Sequence, residues 1–262
     1  MTSGIELSLD GNGIASLIVN RPGSRNALSW AAQEAFANAV EAVAADEAAR
    51  VLIVTGAGGQ FVSGGDLKQL AGHPEPQAGE RLNRVMSAAL DALARLPIPV
   101  IAAVDGDAVG GGCEVITACD LRVASAAARF AFRQVQNGLT SGWGGTARLV
   151  RLIGQSRAMD LLLSGRSFGA AEAQAMGLVH RIAPQGAGAL DAARQWASEL
   201  SVLPRGALAA TKALVLAAAY QSPGEISVTE REAFVGLWPT ADHLEAMRAF
   251  VEKRPPLFNQ EN

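Results

Sequence analysis

Apolar and polar residues alternate in two short segments near the start of the chain. Ile5–Leu9 and Ile14–Val19 follow this period of two, which is typical of β-strands with one buried face. Gly11, Asn12 and Gly13 stand between them, and such glycine-containing segments form tight hairpin turns. The pattern predicts that the chain opens with a β-hairpin.

Uninterrupted apolar runs follow further along the chain. Val51–Thr55 and Val100–Val104 have the character of parallel strands that are covered on both faces. Leu121–Ala124 and Leu178–Ile182 are two shorter strand candidates. Because strands of this kind need crossover connections, they indicate a parallel sheet with helices between its strands.

Helical periodicity fills the segments between these strands. Ser29 is a good N-cap residue, and the helix after it is predicted to reach about residue 45. Further helices are predicted over about residues 79–94 and 112–119, and the chain becomes mostly helical from Gly144 onward. Strands alternating with helices indicate an α/β fold.

The last part of the chain, from about residue 190, contains only predicted helices with breaks at prolines. Such a tail cannot bury all its apolar residues on itself, which favours assembly of several copies. We therefore expect two regions, an α/β core over residues 1–190 and a helical oligomerisation region over residues 191–262.

Composition excludes several classes of protein. The 262 residues are 49% hydrophobic, which suffices for a large core, and the formal net charge of -3 does not suit nucleic-acid binding. No apolar run has the roughly 18 residues of a membrane span, and the N-terminus lacks the pattern of a signal peptide. Two cysteines, Cys113 and Cys119, are too few for a disulfide scaffold. We expect a cytoplasmic protein with reduced thiols, without nucleic-acid or membrane partners.

Two glycine-rich loops, residues 56–65 and 106–112, invite comparison with nucleotide-binding loops. Phe61 stands where the dinucleotide fingerprint needs its third glycine, and no phosphate-binding Gly-Lys-Ser/Thr motif is present. His73, His180 and His243 have no metal-ligand spacing. We therefore expect neither a nucleotide nor a metal as cofactor.

The same loops have the features of an oxyanion hole. Gly64-Gly65 and Gly111-Gly112 each follow a buried strand and are predicted to open a helix, where backbone N–H groups are unsatisfied. Two such N–H groups can stabilise one developing oxyanion, and Glu114, one turn further on, would lie within reach of a neighbouring substrate atom. The alternative is that both loops are ordinary turns and that Glu114 is an acid favoured by the helix dipole.

Longer motifs connect these loops to a known family. They are Asn20-Arg21-Pro22, Asn26-Ala27-Leu28, Phe61–Leu67, Pro99–Val104 with Gly106 and Gly110–Glu114, Gly144–Thr146 with Arg148-Leu149, Ala171–Ala173, Gly177–Val179 and Phe250–Arg254. With these motifs the chain resembles the crotonase superfamily, also called the enoyl-CoA hydratase/isomerase family, over nearly its whole length.

The resemblance implies a crotonase-like α/β spiral of ββα units with a C-terminal helical trimerisation region, as a homotrimer or a dimer of trimers. It implies a coenzyme A thioester as substrate without a further cofactor. Gly65 and Gly111 would form the oxyanion hole, and Glu114 would be the acid/base. The residues that it implies near coenzyme A are Arg25, Ala27, Asp66, Leu67, Lys68, Phe250 and Lys253.

The sequence also departs from this family. Its hydratases use two glutamates, and Gln134 stands at the position of the second, where it cannot exchange a proton. Gly142 and Trp143 complete the expected substrate pocket, and the segment Trp143-Gly144-Gly145 resembles the family's methylmalonyl- and ethylmalonyl-CoA decarboxylases. Hydration, double-bond shift and decarboxylation therefore remain alternatives for an enzyme. A non-catalytic acyl-CoA-binding protein is the alternative of another class.

Overall fold

Two sheets and eleven helices make up residues 3–259, which are the residues that this computed structural model describes. The strands are β1 (Ile5–Leu9), β2 (Ile14–Val19), β3 (Val51–Gly56), β4 (Val100–Val104), β5 (Asp107–Val109), β6 (Leu121–Ala124), β7 (Arg129–Ala131), β8 (Phe168–Gly169) and β9 (Arg181–Ile182). The helices are α1 (Trp30–Ala45), α2 (Leu67–Leu70), α3 (Pro76–Arg95), α4 (Gly111–Ala118), α5 (Gly145–Ile153), α6 (Gln155–Ser164), α7 (Ala170–Ala175), α8 (Ala189–Ser201), α9 (Arg205–Ala218), α10 (Pro223–Leu237) and α11 (Ala241–Glu252).

The larger sheet has the strand order β1-β2-β3-β4-β6-β9. β1 pairs antiparallel with β2, so the predicted hairpin is confirmed, and the other neighbours pair in parallel. Every residue of β4 is buried, as its uninterrupted apolar run predicts. A smaller sheet, β5-β7-β8, stands beside it. The predicted α/β class is confirmed.

Helices cover both faces of the larger sheet. Phe36 of α1 and Leu90 of α3 belong to the main hydrophobic core together with alternate residues of the central strands. Ala193 and Ala197 of α8 pack against the opposite face. α8 begins at Ala189, next to the predicted end of the core at residue 190, but it packs as part of the core. The helices without a buried interior face begin with α9.

Local signals explain the ends of several elements. The Ser29 hydroxyl accepts a hydrogen bond from the Ala32 N–H at 3.3 Å, which confirms the predicted start of α1. α3 begins at Pro76, three residues earlier than predicted, because proline is well suited to the first turn of a helix. The strand predicted over Leu178–Ile182 is shortened to β9, because Leu178 and Val179 donate to Ala173 in a turn after α7.

A buried arginine fixes the C-terminal end of α4. Arg122 is 1% exposed, and its guanidinium donates to the carbonyls of Cys119 at 2.5 Å, Ile116 at 3.3 Å and Leu178 at 2.5 Å. Burial lowers the pKa of this guanidinium, whereas carbonyls at a helix C-terminus stabilise its charge. The arrangement holds α4 against the turn before β9, and α4 carries both Gly111 and Glu114.

The C-terminal helices rest on the core through few contacts. Lys212 of α9 forms an ion pair with Asp120 at 2.7 Å and donates to the Ile98 carbonyl at 3.0 Å. α9 and α10 contain no buried residue. Across residues 3–259, no single helix is both long enough and apolar enough to span a membrane. Within the same residues, only α8 and α9 taken together reach that length and hydropathy, and a 110° bend separates them.

Candidate active site

The two glycine-rich segments run side by side. The Val109 N–H donates to the Val62 carbonyl at 3.0 Å, which joins the strand before α4 to the loop before α2. A Cβ on Gly64 would lie 2.9 Å from the Gly111 nitrogen, and a Cβ on Gly112 would lie 1.8 Å from the Val62 oxygen. Only glycine permits backbones to approach this closely. The fold therefore brings together the loops that sequence analysis pairs.

The backbone N–H groups of Gly65 and Gly111 are the predicted donors of the oxyanion hole. Leu28 donates to the Gly64 carbonyl at 2.7 Å and accepts from the Asp66 N–H at 3.0 Å, as in a parallel bridge centred on Gly65. In such a bridge the N–H of the central residue points away from its partner. Gly111 is the first residue of α4, where helical N–H groups lack intrahelical acceptors. Neither N–H has a hydrogen-bond partner within residues 3–259.

Glu114 is buried, at 2% exposure, and its carboxylate accepts four hydrogen bonds. Oε2 accepts from the N–H groups of Trp143 at 2.8 Å and Gly145 at 2.9 Å. Oε1 accepts from the Gly142 N–H at 3.3 Å and from the Gln134 side-chain amide at 2.9 Å. A Cβ on Gly145 would lie 2.5 Å from Glu114 Cγ, so the chain at this point has no room for a side chain. The carboxylate is thus fixed at the end of the loop that carries Trp143.

Gln134 contacts this carboxylate directly, and its role in the substrate pocket stays a prediction. Its Nε2 donates to Glu114, whereas its Oε1 is buried and has no hydrogen-bond partner within residues 3–259. Gln134 precedes a short 3-10 helix, and Gly138 ends that helix in a left-handed conformation at φ 70°. This turn places the Gln134 amide within hydrogen-bond distance of Glu114 Oε1, the oxygen that also accepts from the Gly142 N–H.

The indole of Trp143 packs against Gly111, one of the two predicted oxyanion-hole glycines. A Cβ on Gly111 would lie 2.1 Å from Trp143 Cζ3 and 2.3 Å from Cη2. A Cβ on Gly65 would lie 4.0 Å from Trp143 Cζ2 and 3.0 Å from Leu70 Cδ1. Trp143 is 4% exposed. One residue therefore contacts the Glu114 carboxylate with its N–H and lines the space beside Gly111 with its ring.

Side chains of α3 and α5 hold this loop in place by donating hydrogen bonds to its carbonyls. Asn83 and Ser87 of α3 donate to the Gly142 carbonyl, Ser87 at 3.1 Å. Arg148 of α5 donates to the Trp143 carbonyl and forms an ion pair with Asp91 at 2.9 Å. The N–H groups of the loop thus face Glu114 while its carbonyls are anchored. No sequence motif marks Asn83 and Ser87, because their partner lies more than fifty positions away along the chain, whereas Arg148 belongs to one of the family's motifs.

Most of the predicted coenzyme A residues form one surface beside Gly65. Arg21 forms an ion pair with Asp66 at 3.2 Å and also donates to the Ala27 carbonyl. Arg25 is exposed in a left-handed conformation at φ 52°, and Lys68 is exposed on α2. Leu67, which begins α2, is 58% exposed. The Leu28–Gly65 bridge places this surface next to the free N–H of Gly65.

Phe250 and Lys253 lie instead at the C-terminal end of α11. Phe250 is 86% exposed, and Lys253 ends the helix in a left-handed conformation at φ 56°. Both side chains are on the surface of the isolated chain, and their role toward coenzyme A stays a prediction.

The cysteines have no nucleophilic character. Both are buried on or next to α4, and burial raises the pKa of the Cys113 thiol and that of Cys119, the latter to about 12. Their thiols lie against the carbonyls of Ala108 and Val115. Within residues 3–259, no cluster of three or more histidine, cysteine, aspartate or glutamate side chains could hold a metal ion.

Comparison with known proteins identifies the family. The model of the enoyl-CoA hydratase/isomerase family matches residues 10–261. The chain belongs to this family. Human mitochondrial methylglutaconyl-CoA hydratase is 35% identical over 263 residues, covering 97% of this chain and 76% of the relative. Bovine mitochondrial enoyl-CoA hydratase domain-containing protein 2 is 38% identical, covering 94% and 84%.

Solved structures agree with this assignment. The crystal structure of enoyl-CoA hydratase from Bacillus anthracis superimposes with a TM-score of 0.94 at 32% identity, covering 98% of this chain and all of that one. A Geobacillus kaustophilus enoyl-CoA hydratase subunit gives a TM-score of 0.90 at 37% identity, covering 98% of both chains. The predicted crotonase-type fold is confirmed, and the chain is an enzyme of the hydratase/isomerase family.

Proposed function

We propose that this enoyl-CoA hydratase/isomerase family member acts on an acyl-CoA by forming a thioester enolate, with Glu114 as the only carboxylate that exchanges protons. The observation that carries the proposal is that the N–H groups of Gly65 and Gly111, on two segments in contact, have no hydrogen-bond partner within residues 3–259. N–H donors aimed at a developing oxyanion typically contribute about 3 kcal/mol each to transition-state stabilisation. Enolate formation places charge on the thioester oxygen, where these donors would bind it.

The setting of Glu114 supports a role in proton transfer. Four N–H donors reach its two oxygens, an arrangement that suits an ionised carboxylate because such a group only accepts hydrogen bonds. Held in place by these bonds, Glu114 would act as a general base toward a substrate proton that lies within hydrogen-bond reach of its oxygens. Because Gly111 and Glu114 lie on one turn of α4, a carbonyl held at Gly111 would present its neighbouring carbon toward Glu114.

An exchange reaction tests the enolate without knowledge of the natural substrate. We expect the enzyme to exchange the α-protons of butyryl-CoA with deuterium in D2O, because a saturated thioester can form the enolate but cannot be hydrated. Mass spectrometry of the recovered butyryl-CoA measures the exchange. Binding of butyryl-CoA without any exchange above the uncatalysed rate would contradict the proposal.

Decarboxylation of a malonyl-type thioester is the second candidate, and Gln134 and Trp143 favour it. Loss of carbon dioxide itself produces the enolate, so one proton source suffices. A second carboxylate would repel the substrate's own carboxylate, whereas the Gln134 amide is neutral. The Trp143 ring supplies an apolar wall beside Gly111, and transfer of a carboxylate from water to such a wall favours its loss.

Hydration is favoured by the names of the relatives, since the human relative is called a methylglutaconyl-CoA hydratase. Against it stands the direct bond from Gln134 to Glu114 at 2.9 Å. A hydratase with two carboxylates activates water with one and protonates carbon with the other, and the Gln134 amide performs neither step.

Parallel assays separate these reactions. We expect the enzyme to convert methylmalonyl-CoA to propionyl-CoA or ethylmalonyl-CoA to butyryl-CoA, with the products measured by chromatography. We expect only slow hydration of crotonyl-CoA. Gln134→Glu should raise hydration and lower decarboxylation, because it adds an acid/base and a repulsive charge together. Crotonyl-CoA hydration by the unaltered enzyme at about 100 per second or faster would argue against decarboxylation, as would a lack of product from both malonyl-type thioesters.

We further propose that the enzyme assembles as a trimer or a dimer of trimers. α9 and α10 have no buried residue, and Val215, Tyr220, Phe234 and Trp238 are each more than half exposed in the isolated chain. A cavity of about 840 Å³ also separates α9 from α4 and α5. Exposed apolar area of this extent is typical of subunit interfaces.

Sedimentation at micromolar concentration should give three or six times the mass of the chain. Val215→Glu and Phe234→Glu together should weaken the assembly, because each would bury a charge at an apolar contact. A stable monomer for the unaltered chain would contradict this proposal.

A further inference from the structure

One polar side chain lies on the otherwise apolar buried face of α1. The buried residues of this helix are Ala32, Gln33, Phe36, Ala39, Val40 and Val43. Gln33 is 1% exposed, and its Nε2 donates to the Leu28 carbonyl at 3.0 Å. Its Oε1 is buried without a hydrogen-bond partner within residues 3–259. Among the polar and charged residues that are buried in this part of the chain, only Gln33 has an unpaired buried atom.

Stability alone favours an apolar residue at this position. Gln33 is the fourth residue of α1, and Leu28 stands directly before the N-cap Ser29. At many helix starts, an apolar residue in the fourth position packs against the residue before the N-cap. Glutamine gives up part of that contact, and its unpaired buried oxygen destabilises the folded chain. The bond from Gln33 to Leu28 therefore indicates a role other than helix stability.

Leu28 is the residue that orients Gly65. The Leu28 N–H donates to the Gly64 carbonyl at 2.7 Å, and the Leu28 carbonyl accepts from the Asp66 N–H at 3.0 Å. The Gly64 carbonyl and the Gly65 N–H belong to one planar trans peptide unit, so they point in opposite directions. The bond that holds the Gly64 carbonyl therefore sets the direction of the Gly65 N–H. Gln33 is the second donor to the Leu28 carbonyl, which has two lone pairs.

We propose that Gln33 is a positioning residue of the oxyanion hole, and that its amide holds Leu28 so that the Gly65 N–H stays aimed at the thioester oxygen. This inference rests on the proposed enolate mechanism. Gln33 is too deeply buried to contact a substrate, so it acts only through Leu28. Without its N–H donor, the Leu28 carbonyl keeps the Asp66 N–H alone, and this side chain of α1 no longer restrains the bridge to Gly65.

Gln33→Met is the decisive variant, because methionine has a similar length but no hydrogen-bond donor. We expect deuterium exchange into butyryl-CoA to fall at least about tenfold, a part of the loss that removal of a whole oxyanion donor causes. The melting temperature should be unchanged or higher, since the variant removes the unpaired oxygen and places an apolar side chain against Leu28. A residue that only stabilises the fold would give the opposite result, a lower melting temperature with normal exchange.

Acetoacetyl-CoA reports on the oxyanion hole without turnover. The carbon between its two carbonyl groups loses a proton readily, and the resulting anion carries charge on the thioester oxygen as the enolate does. We expect Gln33→Met to weaken binding of acetoacetyl-CoA at least about fivefold, because a misaligned N–H costs most where charge is bound. The dissociation constant of butyryl-CoA, whose acyl group is neutral, should stay within about twofold.

Two further variants separate positioning from stability. Gln33→Ala removes the same donor but leaves a cavity, so it should lower the melting temperature and should lower exchange as much as Gln33→Met does. Gln174→Met is the matched control, because Gln174 on α7 also donates to a backbone carbonyl, that of His180 at 3.2 Å, but at the surface. This control should keep normal exchange and normal affinity for both thioesters.

Normal exchange in both Gln33 variants would overturn the proposal. A loss of exchange in Gln33→Ala alone would also overturn it, because exchange would then follow stability. No exchange in the unaltered enzyme, with butyryl-CoA bound, would contradict the enolate mechanism. The two affinities would then still decide on the role of Gln33. Weaker binding of acetoacetyl-CoA alone would support its positioning of the Gly65 N–H, and unchanged binding of both thioesters would overturn it.

Discussion

Replacing Glu114 by glutamine is expected to lower turnover at least about a hundredfold while acyl-CoA binding survives. The substitution preserves the size of the side chain but removes proton exchange. Both proposed reactions need Glu114, either to take the α-proton or to return a proton to the enolate. The proposed oxyanion hole consists of backbone N–H groups, so the variant should retain it and should still bind the thioester oxygen.

The hydrogen bonds around Glu114 determine how well this variant folds. Its amide oxygen can keep the N–H groups of Trp143 and Gly145, but its new amide nitrogen then faces Gly142 and Gln134. Rotation of the Gln134 amide would present Oε1, which has no partner within residues 3–259, as an acceptor for that nitrogen. We therefore expect a loss of stability of only about 1–2 kcal/mol.

Turnover, acyl-CoA affinity and melting temperature together test this expectation. Glu172→Gln is the control, because Glu172 also lies in the first turn of a helix but forms only a surface ion pair with Arg166. That variant should keep normal turnover, since surface ion pairs contribute little. Near-normal turnover of the Glu114→Gln variant on the natural substrate would show that another group transfers the proton.

Sequence periodicity predicts the central part of this fold because burial there is uniform. Val100–Val104 reads as a strand covered on both faces, and all five residues are buried. The end of the sheet is less predictable. Leu178 and Val179 are apolar because they pack in the core, but their N–H groups turn toward Ala173 and take no part in the sheet. A run of apolar residues indicates burial and not strand pairing.

The candidate site shows the same division. Glu114 and the two glycine segments could be selected from the sequence, because each motif is local and its backbone has recognisable requirements. The sequence predicts that the loop with Gly65 opens a helix, and the helix that follows, α2, has only a single turn. The parallel bridge to Leu28, and not a long helix, therefore leaves the N–H of Gly65 without a backbone acceptor within residues 3–259. That bridge joins residues far apart in the chain, and no local pattern reveals it.

The contacts that specify this member of the family are also long-range. The resemblance to the family places Gln134 at the position of the second glutamate, but its direct bond to Glu114 requires the folded turn. The position of the Trp143 indole against Gly111 depends on how α5 packs against α4. Gln134 and Trp143 each contact a residue at least twenty positions away along the chain.

The close fit of Trp143 against Gly111 makes Gly111→Ala the second variant with a large expected effect. A Cβ there would lie 2.1–2.7 Å from three carbons of the indole, so the ring or the start of α4 must move. Overpacking of this kind typically costs about 1–3 kcal/mol. Movement of the Gly111 N–H should in addition lower turnover about a hundredfold, the usual effect of losing one oxyanion donor.

The clash can be tested by removing its second member. Trp143→Ala alone should be destabilising, because it leaves a cavity in place of a buried indole. Within that background, adding Gly111→Ala should cost less than about 0.5 kcal/mol, and it could stabilise the protein, because alanine is the better helix former. Urea unfolding of the four proteins of this cycle measures the coupling free energy between the two positions.

Gly112→Ala provides the contrast that makes the cycle specific. A Cβ on Gly112 would lie 1.8 Å from the Val62 carbonyl oxygen, which belongs to the backbone and cannot be removed by substitution. Trp143→Ala should therefore not reduce the loss of stability that Gly112→Ala causes, although the two glycines are neighbours in the same turn. An equal reduction of the loss for both glycines would mean that α4 shifts as a whole when the indole is removed. A smaller loss of stability for Gly111→Ala alone would show that the indole itself limits the space beside Gly111.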